Sequence, residues 1–400
     1  MTSSLPPELL DAIVQEIRDV ETLKECSLVS STMRYFCQRL LLRYMTVDAN
    51  NYCSACELLT HSPHVAEYVT FLTIGALHDV MDSAKAESFR QVLSKLQNVR
   101  VCMLDGRWYP SVVSNYAHLS WIPQPIFDFL TRLPLRELRL THIILTPALF
   151  WSLFRAVSTI SLRAVSLDEE ADHEIAIPPP ARSTDVTSLS LGGMRVGEFL
   201  ARPQNISCVA GLRHLSIDGF ANERMWVRAL IEASCNTLEH IQFDCPDYFG
   251  TAPPTLPHLP RLRVIQVSFP GAIVATAKIS LISATIRTLS AFAAPQISPV
   301  LAQLKIKLWA HREDAMDADL YDPLMKTLDQ AFVSHTMAPC IHWNLAKREG
   351  DQIDLRFFAD KVRRKMPLLF KARRLSVQEY VASRMWGRRD GLTLDVSAGF

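Results

Sequence analysis

Neither sign of charge is in excess. The 400 residues carry 42 Lys and Arg against 41 Asp and Glu, a formal net charge of +1. That balance argues against a global affinity for nucleic acid or for an acidic membrane surface. Long apolar runs are lacking too: the most apolar, Ala272 to Ile286, is interrupted by Lys278 and rich in small residues, so no transmembrane helix is expected. No signal peptide is expected, because Met1 to Ser4 lead straight into a helical pattern. Nine cysteines, odd in number and scattered, argue against a disulfide framework and for a reducing compartment. A soluble cytoplasmic or nuclear protein is expected. There is no HExxH and no GxSxG. Gly192, Gly193 and Gly197 have neither the P-loop nor the Rossmann spacing and read as turns after a strand. Neither an enzyme nor a cofactor is expected.

What is there starts with Leu5 to Val47, which reads as three short helices. Pro6 and Pro7 suit a first turn, where a missing N–H costs nothing. Leu9, Leu10, Ile13, Val14 and Ile17 recur at helical spacing. Asp19 is an expected N-cap for a second helix carrying Leu23, Cys26 and Leu28. Ser30 or Ser31 caps a third, with Met33, Phe36, Cys37, Leu40, Leu41 and Tyr44 on its face. A unit this short buries too little apolar surface to stand alone and should pack on something else.

A second pattern then recurs: an apolar residue, two others, an apolar residue, one other, an apolar residue. It appears as VTFLTI (69–74), VRVCML (99–104), LRELRL (135–140), VSTISL (157–162), VTSLSL (186–191), LRHLSI (212–217), LEHIQF (238–243), LRVIQV (262–267), IRTLSA (286–291) and LAQLKI (301–306). Its last part alternates like a strand with one buried face. Successive middle positions are mostly about 22 to 30 residues apart, the leucine-rich-repeat range of about 20–29. The insertion Arg107–Pro125 lengthens one interval, and Leu289 to Leu304 is too short for a full repeat. Helical stretches lie between, at Glu87–Leu96, Pro125–Leu133, Pro147–Val157 and Asn222–Cys235. Strand then helix, repeated, implies parallel strands with right-handed crossovers in a solenoid whose units need their neighbours. Glu169–Thr184, with Pro178, Pro179 and Pro180, reads as an exposed loop. From Asp319 a helix to Phe332, strands at Ile341–Leu345 and Ile353–Phe357, a helix at Asp360–Met366 and a strand at Arg374–Val377 are expected to cap the array. The end should fray beyond about Trp386.

The N-terminal block resembles an F-box, through Leu5-Pro6 with Glu8-Leu9, then Ile13, Leu23, Leu28-Val29-Ser30 and Arg34. With the loose repeats it also resembles the F-box plus leucine-rich-repeat proteins common in fungi. The resemblance implies an α/β fold: an F-box over 1–47, a degenerate leucine-rich-repeat solenoid with a parallel sheet over 48–310, a capping region over 311–380 and a flexible tail over 381–400. It implies a substrate-recognition subunit of a Skp–cullin–F-box ubiquitin ligase. Leu5, Pro6, Leu9, Ile13, Leu23, Val29 and Ser30 would hold the adaptor, and through it a cullin. Met33 stands where many F-boxes have tryptophan and Thr32 where a basic residue is common. The residues therefore also admit a non-catalytic scaffold acting outside a ligase.

Residues beside the middle apolar position of each repeat point away from the core. Glu137, Arg139, Ser188, Ser190, His214, Ser216, His240, Gln242, Val264 and Gln266 occupy such positions. His214 should lie beside His240, and Asp218 beside Asp244. Glu137, Arg139, His214, Asp218, His240, Gln242 and Asp244 are the candidate target-binding residues, set against a plain solvated face. Cys53, Cys56, His61 and His64 are spaced too closely for a common zinc finger, and no metal is expected. The basic run Lys361, Arg363, Arg364, Lys365, Lys371, Arg373, Arg374, Arg388 and Arg389 is interleaved with Asp360, Glu379 and Asp390. It reads as a solvated cap rather than a nucleic-acid site.

Overall fold

A computed structural model describes residues 5–17, 19–48, 51–75, 83–106, 117–118, 124–168, 186–218, 225–244, 255–269, 275–310, 321–348 and 355–382. The chain forms two compact units, Met1–Val196 and Gly197–Phe400. The expected loop at 169–184, most of the 107–125 insertion and the tail from 383 lie outside the described residues.

The first unit opens with helices α1 (Pro7–Glu16), α2 (Val20–Val29) and α3 (Ser31–Leu41). Asp19 caps α2 by accepting from the Thr22 N–H at 2.7 Å, and Ser30 caps α3 through the Met33 N–H at 3.2 Å. Val14, Leu23, Phe36 and Cys37 form the bundle's centre, with Leu10, Ile17, Cys26, Met33, Leu40 and Leu41 packed against it. Tyr44, expected at the end of the third helix, instead starts strand β1 (Tyr44–Val47), which pairs in parallel with β2 (Phe71–Gly75). Helices α4 (Tyr52–His61) and α5 (His64–Tyr68) connect the two strands. The first strand of the sheet therefore follows directly on the helical block.

Next come α6 (Ser83–Lys95), β3 (Val101–Asp105), β4 (Ala117–His118) and α7 (Gln124–Arg132). They lead into β5 (Glu137–Thr141), β6 (Ile143–Leu145), α8 (Pro147–Ala156), β7 (Thr159–Arg163), β8 (Ser166–Leu167) and β9 (Ser188–Gly192). Strands β1, β2, β3, β5, β7 and β9 are consecutive parallel neighbours. The repeat's middle apolar residues line up as Leu72, Cys102, Leu138, Ile160 and Leu189, and its last ones as Ile74, Leu104, Leu140, Leu162 and Leu191. All are buried, as are the leading residues Val69, Val99, Leu135, Val157 and Val186. Each such side chain contributes about 1.5–3 kcal/mol by leaving water. Thr146 caps α8 and Pro147 fills its first turn, turning Phe150, Trp151, Leu153 and Phe154 inward. The short strands β4, β6 and β8 form a second parallel sheet that the repeat pattern does not announce. The chain bends into it at His142 (φ 53°) and Ala164 (φ 49°), both left-handed. At Gly106, just after β3, an added Cβ would clash with the His142 carbonyl oxygen.

Helix α9 (Met194–Ala201) carries the chain across the boundary between units. The second unit then runs through a 3-10 turn (Ile206–Val209), β10 (His214–Ile217), α10 (Met225–Ala233), β11 (His240–Asp244) and β12 (Val264–Phe269). It continues with α11 (Ala275–Phe292), β13 (Gln303–Ala310), α12 (Asp322–Val333), β14 (Cys340–Arg348), α13 (Leu355–Lys365), α14 (Pro367–Lys371) and β15 (Leu375–Ala382). Strands β10 to β15 pair in parallel in chain order, with Leu215, Ile241, Ile265, Leu304 and Ile341 in one buried row.

Three expectations are corrected here. IRTLSA is helix: Ile286 and Leu289 lie within α11. Their spacing of three suits a helix as well as a repeat, and Ile282, Thr285, Leu289 and Phe292 are all buried along one helical face. Of Ile353–Phe357, expected as a strand, the described residues 355–357 begin α13 instead. The short interval from Leu289 to Leu304 does not break the array: LAQLKI runs into β13, which pairs with β12, and β14 and β15 extend the sheet in register.

Gly197, expected in a turn, lies inside α9, where an added Cβ would fall 2.6 Å from the buried Trp226 ring. Helix propensity alone favours alanine by about 1 kcal/mol. Overpacking against that ring costs about 1–3 kcal/mol. Gly197→Ala should therefore lower the urea midpoint. A raised midpoint would show that Trp226 yields.

Candidate functional site

Two surfaces stand out. The first lies on the N-terminal bundle. Leu5, Leu9 and Ile13 are 52%, 52% and 50% exposed, and Leu28 and Val29 are 78% and 75% exposed. Leu5, Leu9 and Ile13 fall four residues apart, one stripe along the start of α1. Leu10, Val14 and Ile17 take the inward side. The orientation of α1 is held by Asp11, which accepts from Arg39 of α3 at 2.5 Å. Pro6 is exposed at the start of α1. Leu23 differs: at 6% exposure it belongs to the bundle's own centre, because the inward face of α2 passes through it. Ser30 spends its hydroxyl on the α3 cap, and Met33 packs onto the core rather than outward.

The second surface is the polar face of β10 to β14. Register puts His214 beside His240, Ser216 beside Gln242, Gln242 beside Gln266, Gln266 beside Lys305 and Lys305 beside His342. The His214 and His240 rings meet edge to face with centroids 5.9 Å apart. Asp218 and Asp244 each follow a paired residue, Ile217 and Phe243. Asp244 aligns with Ser268 and, one strand on, Lys307. Gln266 and Ser268 point to this face yet are 6% and 4% exposed. The face is therefore crowded and partly dry, unlike an open solvated one.

Its electrostatics follow from that. Burial pushes His240 down to about 4, helped by His214, Lys305 and Lys307. Burial, then Lys305, pushes His342 down. Burial lowers Lys307, while Asp244 works in the opposite sense. The Nε2 atoms of His240 and His342 are buried with no hydrogen-bond partner among the described residues. The Nδ1 of His342 is 2.7 Å from the Ser376 hydroxyl.

Glu137 and Arg139 lie in the first unit and answer one another: Arg139 donates to Glu137 at 2.6 Å and stacks over Phe71. They carry no net charge as a pair. Lys305, Lys307 and His342 were missed by the sequence reading. The rule that selected Gln242 and Gln266 also selects Lys305, the fifth residue of LAQLKI, and the alternation of β14 selects His342.

Cys53 and Cys56 sit on α4, and His61, its last residue, is bonded to the Glu57 carbonyl at 2.8 Å. Among the described residues no group of three or more His, Cys, Asp or Glu side chains is placed to hold a metal ion. No helix among them is long and apolar enough to cross a membrane. The basic C-terminal residues are largely used internally: Lys365 pairs with Asp322, Arg363 with Asp360 at 2.9 Å, and Arg374 donates to the Phe332 and Val333 carbonyls at 3.2 Å.

No family model matches the chain, and no curated protein matches it. Among solved structures it is similar to the leucine-rich repeat-containing protein LegL7 from Legionella pneumophila. The identity is 13%, over 81% of this chain and 90% of that one, with a TM-score of 0.42.

Proposed function

We propose that this chain is the substrate-recognition subunit of a Skp–cullin–F-box ubiquitin ligase. In this reading Leu5, Pro6, Leu9, Ile13 and Val29 dock the adaptor, and the parallel-sheet repeats hold a protein target. The chain itself supplies no bond-breaking group. It contributes proximity, bringing a target lysine near a conjugating enzyme carried by the other subunits. The observation that carries the proposal is the exposed apolar set Leu5, Leu9, Ile13, Leu28 and Val29 on a bundle with a small core, a set that favours burial by a partner. The F-box resemblance of the same residues names that partner. Leu23 is left out of the docking set because it is needed inside.

Met33, packed inward, favours a second reading: a non-catalytic scaffold acting outside a ligase, with no tryptophan offered to an adaptor. Co-expression with a Skp-type adaptor and size-exclusion chromatography separates the two. Co-elution at micromolar concentration is expected. Two folded proteins that elute separately would leave the scaffold reading.

A further inference from the structure

We propose that the polar face of the second unit seats an aspartate or glutamate side chain of an extended protein segment at Lys305, between His240 and His342. The inference rests on the reading of this unit as the part that holds a target.

Lys305 lies at the middle of the face on β13. It has neither a hydrogen-bond nor an ion-pair partner among the described residues. Gln266 flanks it on β12 and His342 on β14. His240, on β11, stands two strands over and two residues back, in register with Gln303, about 12 Å away. Lys305 acts on both histidines, helping to hold each neutral. Both also keep a buried Nε2 without a partner, and a buried polar atom left so costs about 1–3 kcal/mol. An ionised carboxylate is the complementary group. It accepts only, with about four lone-pair sites, so it can take a bond from the Lys305 ammonium and another from an imidazole N–H while cancelling the lysine's charge.

The remaining charged and titratable groups on the face set the balance. His214 stands on β10, Asp244 on β11 and Lys307 on β13, while β12 and β15 present Val264, Gln266, Ser268, Ser376 and Gln378, all uncharged. Asp244 offsets Lys307, and Asp218, which follows Ile217 as Asp244 follows Phe243, lies at that same end, so Lys305 is the charged group at the middle of the face. The site is a strand face rather than an enclosed hole. A cleft of about 220 Å³ lies elsewhere in this unit, lined by Glu239, Pro260, Arg261, Arg263 and Val300. A strand row of this kind, running across neighbouring strands, favours an extended chain over a small free anion.

The sign of the pH dependence follows. A bound carboxylate favours the charged imidazoles and raises the pKa of His240 and His342, so binding takes up protons and tightens as the pH falls from 7.5 to 6.0. Peptide glutamates stay ionised over that range.

The test uses the full chain and a fluorescein-labelled peptide of alternating Glu and Gly, with its Gln–Gly twin, followed by fluorescence anisotropy. The Glu peptide should bind at least about tenfold tighter than the twin and tighter at pH 6.0 than at 7.5. Lys305→Gln should weaken it about tenfold, and Lys326→Gln, an exposed lysine of α12, should not. Equal binding of the two peptides, equal effects of the two lysine variants, or no binding at millimolar peptide would each overturn the proposal. Displacement by millimolar inorganic phosphate would also overturn it, in favour of a small-anion site. Adaptor co-elution of Lys305→Gln, measured in parallel, separates this failure from that of the ligase reading. A chain that binds the Glu peptide but no adaptor loses only the latter.

Discussion

Leu9→Asp should abolish capture of a Skp-type adaptor and leave the chain folded. Leu9 is 52% exposed on the outer stripe of α1, so an aspartate there meets water in the free protein and costs little. In the complex the same carboxylate would enter a desolvated apolar contact with no partner. By analogy with broken buried pairs that costs roughly 3–5 kcal/mol, or about two to four decades in affinity. Leu23→Asp is the matched control. Leu23 sits with Val14, Phe36 and Cys37, so its replacement should disrupt the bundle itself and lower helical circular dichroism. If Leu9→Asp loses helicity to the same degree, or still co-elutes with adaptor at micromolar concentration, the assignment of the docking face is wrong.

The contrast between Leu9 and Leu23 marks how far the residues could be read without coordinates. Helical spacing places both on apolar faces, but it does not say which face has a partner within the chain. The repeat rows were legible because alternation allows only one register with Leu72, Cys102, Leu138, Ile160 and Leu189 all inside. IRTLSA misled because its first two apolar residues are three apart, a spacing that α11 uses equally well. The second small sheet was invisible: its strands are two or three residues long, too short for any period. The pairing of His214 with His240 followed from register alone. The dryness around Gln266 did not, because it depends on neighbours from β11 and β13 at once.

Long-range capping is the other feature that local reading misses, and it governs the C-terminal layer. Helix α14 begins after Met366, whose side chain makes no cap, and Pro367 lacks an N–H. The orphan donors are those of Leu368 and Leu369. Asp329 of α12 accepts both, at 3.1 and 2.8 Å, from about 40 residues earlier in the chain. It is 4% exposed. Lys365 pairs with Asp322 at the start of α12, and Arg374 donates to carbonyls at its end, so α12 is tied to the final layer at three points. Asp329→Ala removes the acceptor and leaves one buried N–H, that of Leu369, and one part-buried, that of Leu368; at about 1–3 kcal/mol for the first and less for the second, the loss is about 2–5 kcal/mol. Asp329→Asn keeps one side-chain oxygen and should lose roughly half as much. The local readout is hydrogen exchange at Leu368 and Leu369, which should quicken most in the alanine variant, with urea unfolding shifted in the same order. Unchanged exchange at those two amides would mean that α14 is held by the packing of Leu369 alone. In that case the carboxylate is dispensable, and the β15 edge should survive its loss.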